Sequence, residues 1–147
     1  MSLFSQLCIG AFMIALTVAI HAVALDIIIR RVKSAEILVR SHSEIIWKPF
    51  LASIIVLSVF SVHVIQIWLW AILYLFLDSV TLHTLSEALY FSTVTFTTVG
   101  YGDIILGPET RMLSAVEAAN GFLLFGWTAA FIFEVISQLY RTETDDI

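Results

Sequence analysis

Residues 98–103 read Thr98-Val99-Gly100-Tyr101-Gly102-Asp103, with glycine at every second position between a β-branched and an aromatic residue. In an ordinary strand successive carbonyls point opposite ways. Glycine reaches left-handed backbone conformations cheaply, so Gly100 and Gly102, alternating with Val99 and Tyr101, can turn consecutive carbonyls to one side. The result is a column of oxygens, with the Thr98 hydroxyl adding one at its inner end. Such a column can replace the water around a dehydrated cation. One strand cannot encircle an ion and the chain carries one copy, so this chemistry demands a symmetric homo-oligomer about a central axis. Five extended residues reach about 17 Å at most, short of a hydrocarbon core of about 30 Å. The remainder of any path must then be a wider, wet cavity.

The elements that must position this segment are membrane helices. The 147 residues are 60% apolar and 13% charged, against 45–50% and about 25% in soluble domains. The net charge of −5 supplies no basic field for nucleic acid. The single cysteine, Cys8, excludes an intrachain disulfide and a cysteine metal cluster, and its apolar run predicts a buried position. Leu3–Leu25 carries no charged residue but ends where Asp26 begins, and Pro49–Leu77 has none at all. Each is long enough to span, and Pro49 is expected in the first turn of its helix. A third apolar run, 112–140, contains Glu117 and Glu134. Between the second and third lies Leu85–Thr97, 13 residues or roughly 20 Å as a helix. That is too short to cross, and reads as a re-entrant half-helix tolerated only within protein or beside a watery cavity. Thr84 and Glu87 have capping-box spacing and fix its start; its C-terminal carbonyls would favour a cation.

Thr98–Asp103 is similar to the potassium-channel signature, and residues from about 50 to 140 resemble the pore domain of potassium channels. The resemblance rests on Tyr90-Phe91, on the Thr-Thr-Val-Gly-Tyr-Gly-Asp run, and on Gly121 and Gly126 in the third helix. It implies an all-α membrane protein of three transmembrane helices plus a re-entrant pore helix and filter loop, assembling as a tetramer. The implied division is an additional N-terminal helix at 1–29, a basic cytoplasmic linker at 30–48, a pore domain at 49–140, and a tail at 141–147. Within the pore domain the outer helix is 49–77, the pore helix 85–97, the filter 98–103 and the inner helix 112–140. Thr98, Val99, Gly100, Tyr101 and Gly102 would hold K⁺ as the permeant ion, with no organic cofactor; the retained Tyr101 implies K⁺ over Na⁺. Some relatives place behind the filter a glutamate that bonds the outer aspartate. Here that position is Val94, leaving the Tyr90 hydroxyl as the candidate partner of Asp103. Gly121 matches the position where many such channels bend and Gly126 is a second candidate hinge; the alternative for both, and the preferred one for Gly126, is a small residue that lets helices pack closely.

The isolated polar residues carry weaker expectations. Glu134 is read as either an acidic vestibule ring or a plain interfacial carboxylate, and Glu117 as a structural group behind the filter. Phe122, Phe125 and Phe133 are read as narrowing the cavity or as packing. His21 and His63 lie inside spans, where a hydrogen-bonded interior histidine is the expected role and a pH sensor the alternative, and Asp26 is placed to pair with Arg30. The 30–48 linker is expected as a helical extension plus an interfacial turn, with Trp47 and Lys48 as anchors at the headgroups and Trp68 and Trp70 in that role at the outer end of the second helix. Five of the seven basic residues, Arg30, Arg31, Lys33, Arg40 and Lys48, lie between the first two spans, which by the positive-inside rule puts that stretch in the cytoplasm. The N-terminus is then outside and the C-terminus cytoplasmic, in a plasma or bacterial inner membrane. No Arg-x-x-Arg repeat marks a voltage sensor and no ligand-binding domain is expected, so gating is intrinsic, lipid- or tension-linked, pH-linked, or due to an unidentified regulatory partner. The alternatives are a K⁺ transporter subunit, expected to carry four filter-like segments in one chain, and a non-conducting accessory subunit. No nucleophile motif points to an enzyme. The extra helix is expected outside the second helix, against lipid.

Overall fold

The computed structural model describes residues 1–39, 44–78 and 81–141, omitting the side chains of 33, 35–39, 44 and 45. Arg40, His42 and the tail from 142 onward therefore lie outside the described residues, as does most of the expected 30–48 linker's turn. Four helices follow in order: α1 (Leu3–Val39), α2 (Glu44–Leu77), α3 (Leu85–Phe96) and α4 (Arg111–Arg141). Three of them, α1, α2 and α4, are long and apolar enough to cross a membrane. Their outward faces carry Phe4, Phe12, Phe60, Phe76 and Phe122, all exposed. Helices apolar nearly all round require a hydrocarbon solvent, so the protein is an integral membrane protein.

α1 continues to Val39 as the helical extension of the basic linker, and α2 begins at Glu44, ahead of the expected 49. Pro49 consequently sits inside α2 rather than in its first turn, removing one backbone donor from the helical ladder. The expected anchors also divide. Trp47, Lys48 and Trp70 are buried, while Trp68 is partly exposed. The Lys48 ammonium lies 5.9 Å from the Trp47 ring centre and 5.5 Å from that of Tyr140, packed on α4. Cys8, expected inside, is exposed on an apolar helix.

α1 packs against both α2 and α4 rather than lying outside α2 alone. Its Gln6 Oε1 accepts from the Met112 N–H at 3.1 Å, capping a first-turn donor of α4 that has no intrahelical partner. Leu25 joins Trp47, Leu51, Ile55 and Val59 of α2 and Phe131, Val135 and Leu139 of α4 in one cluster. At the opposite end a second cluster gathers Met13, Trp70, Tyr74, Phe91, Phe96, Leu113 and Leu124, burying α3 between α2 and α4. Asp26 and Arg30 pair at 2.8 Å.

Candidate functional site

α3 is the part of the chain whose local chemistry is most fully determined. The Thr84 hydroxyl accepts from the Glu87 N–H at 3.2 Å, and the Glu87 carboxylate accepts from the Thr84 and His83 N–H groups at 3.1 and 2.8 Å. These bonds hold the Glu87 carboxyl below its usual range, the His83 N–H contributing most. Twelve residues later the helix ends at Thr97, and the chain doubles back on it. The Thr97 N–H donates to Thr93 O, and that of Thr98 to Thr95 O. The Val94 carbonyl accepts from both Val99 N–H at 3.0 Å and Gly100 N–H at 3.2 Å. Val94 therefore acts through its backbone.

Beyond that point three residues have positive φ: Thr98 at 62°, Gly100 at 55° and Gly102 at 76°. The two glycines are where the sequence places left-handed backbone. Thr98 is an addition. A β-branched residue in this region is an outlier, strained by about 1–3 kcal/mol. No composition rule would have picked it out, because threonine is disfavoured there. Val99, Tyr101 and Asp103 are exposed on the single protomer. Beside them runs an open cleft of about 360 Å³ lined by Phe91, Thr95, Thr98, Gly100, Gly102 and Ile104, among others.

The segment is braced at both ends. The Tyr90 hydroxyl donates to Asp103 Oδ2 at 2.7 Å, and this bond holds the Asp103 carboxyl below its usual range. Phe91 is buried edge-on to Tyr74, 5.2 Å between ring centres. Asp78, at the end of α2, accepts from Thr81 N–H at 3.1 Å, from Gly107 N–H at 3.3 Å and from the Thr110 hydroxyl. Burial raises the Asp78 pKa, but the bonds from Thr110, Thr81 and Gly107 outweigh it and the net shift is downward. This residue escaped the sequence reading, although an Asp immediately after an apolar run was its visible signal. Met1 and Glu109 form an ion pair at 2.6 Å.

Behind α3, Glu117 of α4 is fully buried. The Ser92 hydroxyl lies 2.5 Å from Glu117 Oε1 and 2.9 Å from the Ile67 carbonyl; its one hydrogen can serve a single one of these acceptors. Gly121 sits where α4 crosses the end of α3. A Cβ built there would overlap the Phe96 carbonyl oxygen and lie 2.9 Å from its carbon, whereas one at Gly126 would meet nothing within 4 Å. Close approach is thus a sufficient reason for glycine at 121 without any bend. Phe125, read from sequence as narrowing the cavity or as packing, is half-buried in packing contacts: its ring lies tilted 4.4 Å from that of His63 and edge-on to Phe96 at 5.7 Å. Phe122, Phe133 and Glu134 remain exposed on α4, with Glu134 Oε1 accepting from Gln138 at 2.6 Å.

Comparison with curated proteins and with solved structures returns no match. A family model described as an ion channel does match, over residues 52–138. The matched stretch takes in most of α2, all of α3, the left-handed 98–102 segment and nearly all of α4, leaving α1 as an addition. The chain belongs to the ion-channel family, in its two-transmembrane, potassium-channel-like branch.

Proposed function

We propose that the protein is a homotetrameric, potassium-selective channel that lets K⁺ pass down its gradient through four copies of Thr98–Gly102. The observation that carries this reading is the alternation of left-handed backbone at 98, 100 and 102 with Val99 and Tyr101, directly after a capped half-helix. Alternating φ signs swing successive carbonyls toward one edge of the strip. Four strips about an axis would line a path with oxygens and stand in for the hydration shell of K⁺. The cleft left open beside the strip on one protomer is the kind of surface a neighbouring copy fills.

In this arrangement α3 is a re-entrant pore helix, α2 the outer helix and α4 the inner helix lining a wet cavity. Its carbonyls at 93–95 already accept from the chain that follows, so the helix acts on an ion through its dipole rather than by ligation. Tyr90 and Asp103 brace the outer mouth. Gly121 and Gly126 are the candidate bends, and Glu134 with Phe133 would ring the inner vestibule. The basic stretch between α1 and α2 places that end in the cytoplasm and the N-terminus outside.

The test is K⁺ flux from liposomes holding the purified protein, with Na⁺ substitution and Gly100→Asp as control. Flux well above that of Na⁺, abolished by the substitution, is expected. Equal K⁺ and Na⁺ flux would overturn the selectivity.

A further inference from the structure

A closed circuit of buried polar side chains joins α1, α2 and α4 at mid-span. His21 and Thr17 come from α1, His63 and Gln66 from α2, and Thr128 from α4; all five are buried. Gln66 Nε2 lies 3.1 Å from the Thr17 carbonyl oxygen and 3.3 Å from His21 Nδ1. Gln66 Oε1 lies 3.1 Å from His63 Nδ1. Thr128 Oγ1 lies 2.8 Å from His63 Nε2 and 3.3 Å from His21 Nε2.

With both imidazoles neutral, the chemistry of these groups fixes every hydrogen. A carbonyl oxygen only accepts, so the Gln66 atom facing Thr17 is the amide nitrogen, and its oxygen faces His63. His63 Nδ1 must then donate, which in a neutral ring makes Nε2 the acceptor for the Thr128 hydroxyl. The Thr128 oxygen is left to accept from His21 Nε2–H. His21 Nδ1, now the acceptor, takes the second N–H of Gln66. Each donor has one acceptor, and the two neutral imidazoles carry opposite tautomers.

We propose that this circuit is a proton-operated latch that fastens α1 to the inner helix α4. A proton added to His21 sets an N–H at Nδ1 against the Gln66 amine. Gln66 cannot turn over to relieve it, because its oxygen would then face the Thr17 carbonyl and its amine the His63 N–H. A proton on His63 is less disruptive, since the Thr128 hydroxyl can rotate and accept from both rings. His21 is accordingly the trigger. The imidazoles lie 5.2 Å apart, which disfavours loading both.

Among the described residues no Asp, Glu, Lys or Arg bonds to the circuit. On α4 the carboxylates are Glu117, engaged with Ser92, and Glu134, bonded by Gln138; on α1 Asp26 pairs with Arg30. On α2 the other titratable side chains described are Lys48 and Tyr74, and α3 presents the Phe96 ring, 5.9 Å from His63. Trp127 covers His21 at 5.3 Å. Asn120 extends the seam, donating to Thr17 Oγ1 at 2.8 Å.

The latch is a property of helix packing and does not require conduction, so its test is independent of flux. Protein labelled with ¹⁵N-histidine, assigned through His42→Gln and His83→Gln, is measured in bilayers. At pH 7.5 His63 should show the Nδ1–H tautomer and His21 the Nε2–H tautomer; matching tautomers, or a charged ring, would overturn the assignment. Between pH 7.5 and 5 the melting temperature of the wild type should fall. His21→Leu should lose most of that fall and His83→Gln keep it. An undiminished fall in His21→Leu would overturn the latch. If that variant does not fold, wild-type spectra decide alone: the gain of a proton by His21 must coincide with loss of the His63–Gln66 and His63–Thr128 hydrogen-bond shifts, and a His21 that charges while those shifts stay unchanged would overturn the proposal.

Discussion

Replacing Gly121 by alanine separates two reasons for a glycine in α4. If the residue is kept for bending, alanine should straighten and stabilise the helix by about 1 kcal/mol, the ordinary propensity difference. The structure places the new methyl against the Phe96 carbonyl oxygen and 2.9 Å from its carbon. Both are backbone atoms at the end of α3, which cannot swing aside as a side chain would. Overpacking costs about 1–3 kcal/mol, and an overlap with backbone belongs at the upper end, so after the propensity gain a net destabilisation of roughly 2 kcal/mol is expected. Gly126→Ala, with open space around the Cβ, should instead gain up to about 1 kcal/mol. The assay is denaturant unfolding in mixed micelles, followed by flux of both variants. Since Phe96 leads into the 98–102 segment, Gly121→Ala should also lower K⁺ flux. A Gly121→Ala protein as stable as the wild type would refute the close-contact argument and return the residue to a hinge role.

Asp78→Asn should cost about 1–3 kcal/mol at pH 7, through donors left poorly paired at the 107–110 turn. Because the native carboxyl titrates below its usual value, its contribution is fully present above pH of about 4. That contribution fades as pH falls through the lowered native value. The stability gap between wild type and Asp78→Asn should close in acid, and a gap unchanged at pH 2.5 would contradict it. Glu117→Gln should stay within about 1 kcal/mol, since the amide can donate to Ser92 while its hydroxyl serves Ile67. Glu117→Ala should lose about 2–4 kcal/mol to the cavity. Equal losses in unfolding midpoint would remove Ser92 from the account.

What could be read from the chain alone was whatever neighbouring residues decide. Thr84 and Glu87 define the start of α3 because capping is a three-residue affair. The glycines at 100 and 102 mark left-handed backbone because few other residues tolerate it. Helix starts were less legible: Pro49 suits a first turn, yet α2 begins at Glu44 and holds it inside at the cost of one hydrogen bond. The His21–Gln66–His63–Thr128 circuit was only half legible. Interior histidines imply hydrogen bonds, and both have them, but their partners come from three helices and no sequence spacing links them. The inward turn of Phe125 depended on the same packing.

The bonds that shape residues 97–100 reach back no further than Val94, Thr93 and Thr95. Contacts this local form early, since little loop entropy opposes them. A newly made chain can therefore carry its strip already bent before it meets another copy. In the proposed tetramer, assembly then becomes the docking of preformed edges, and the slow, concentration-dependent step belongs to subunits finding each other rather than to the strip finding its shape.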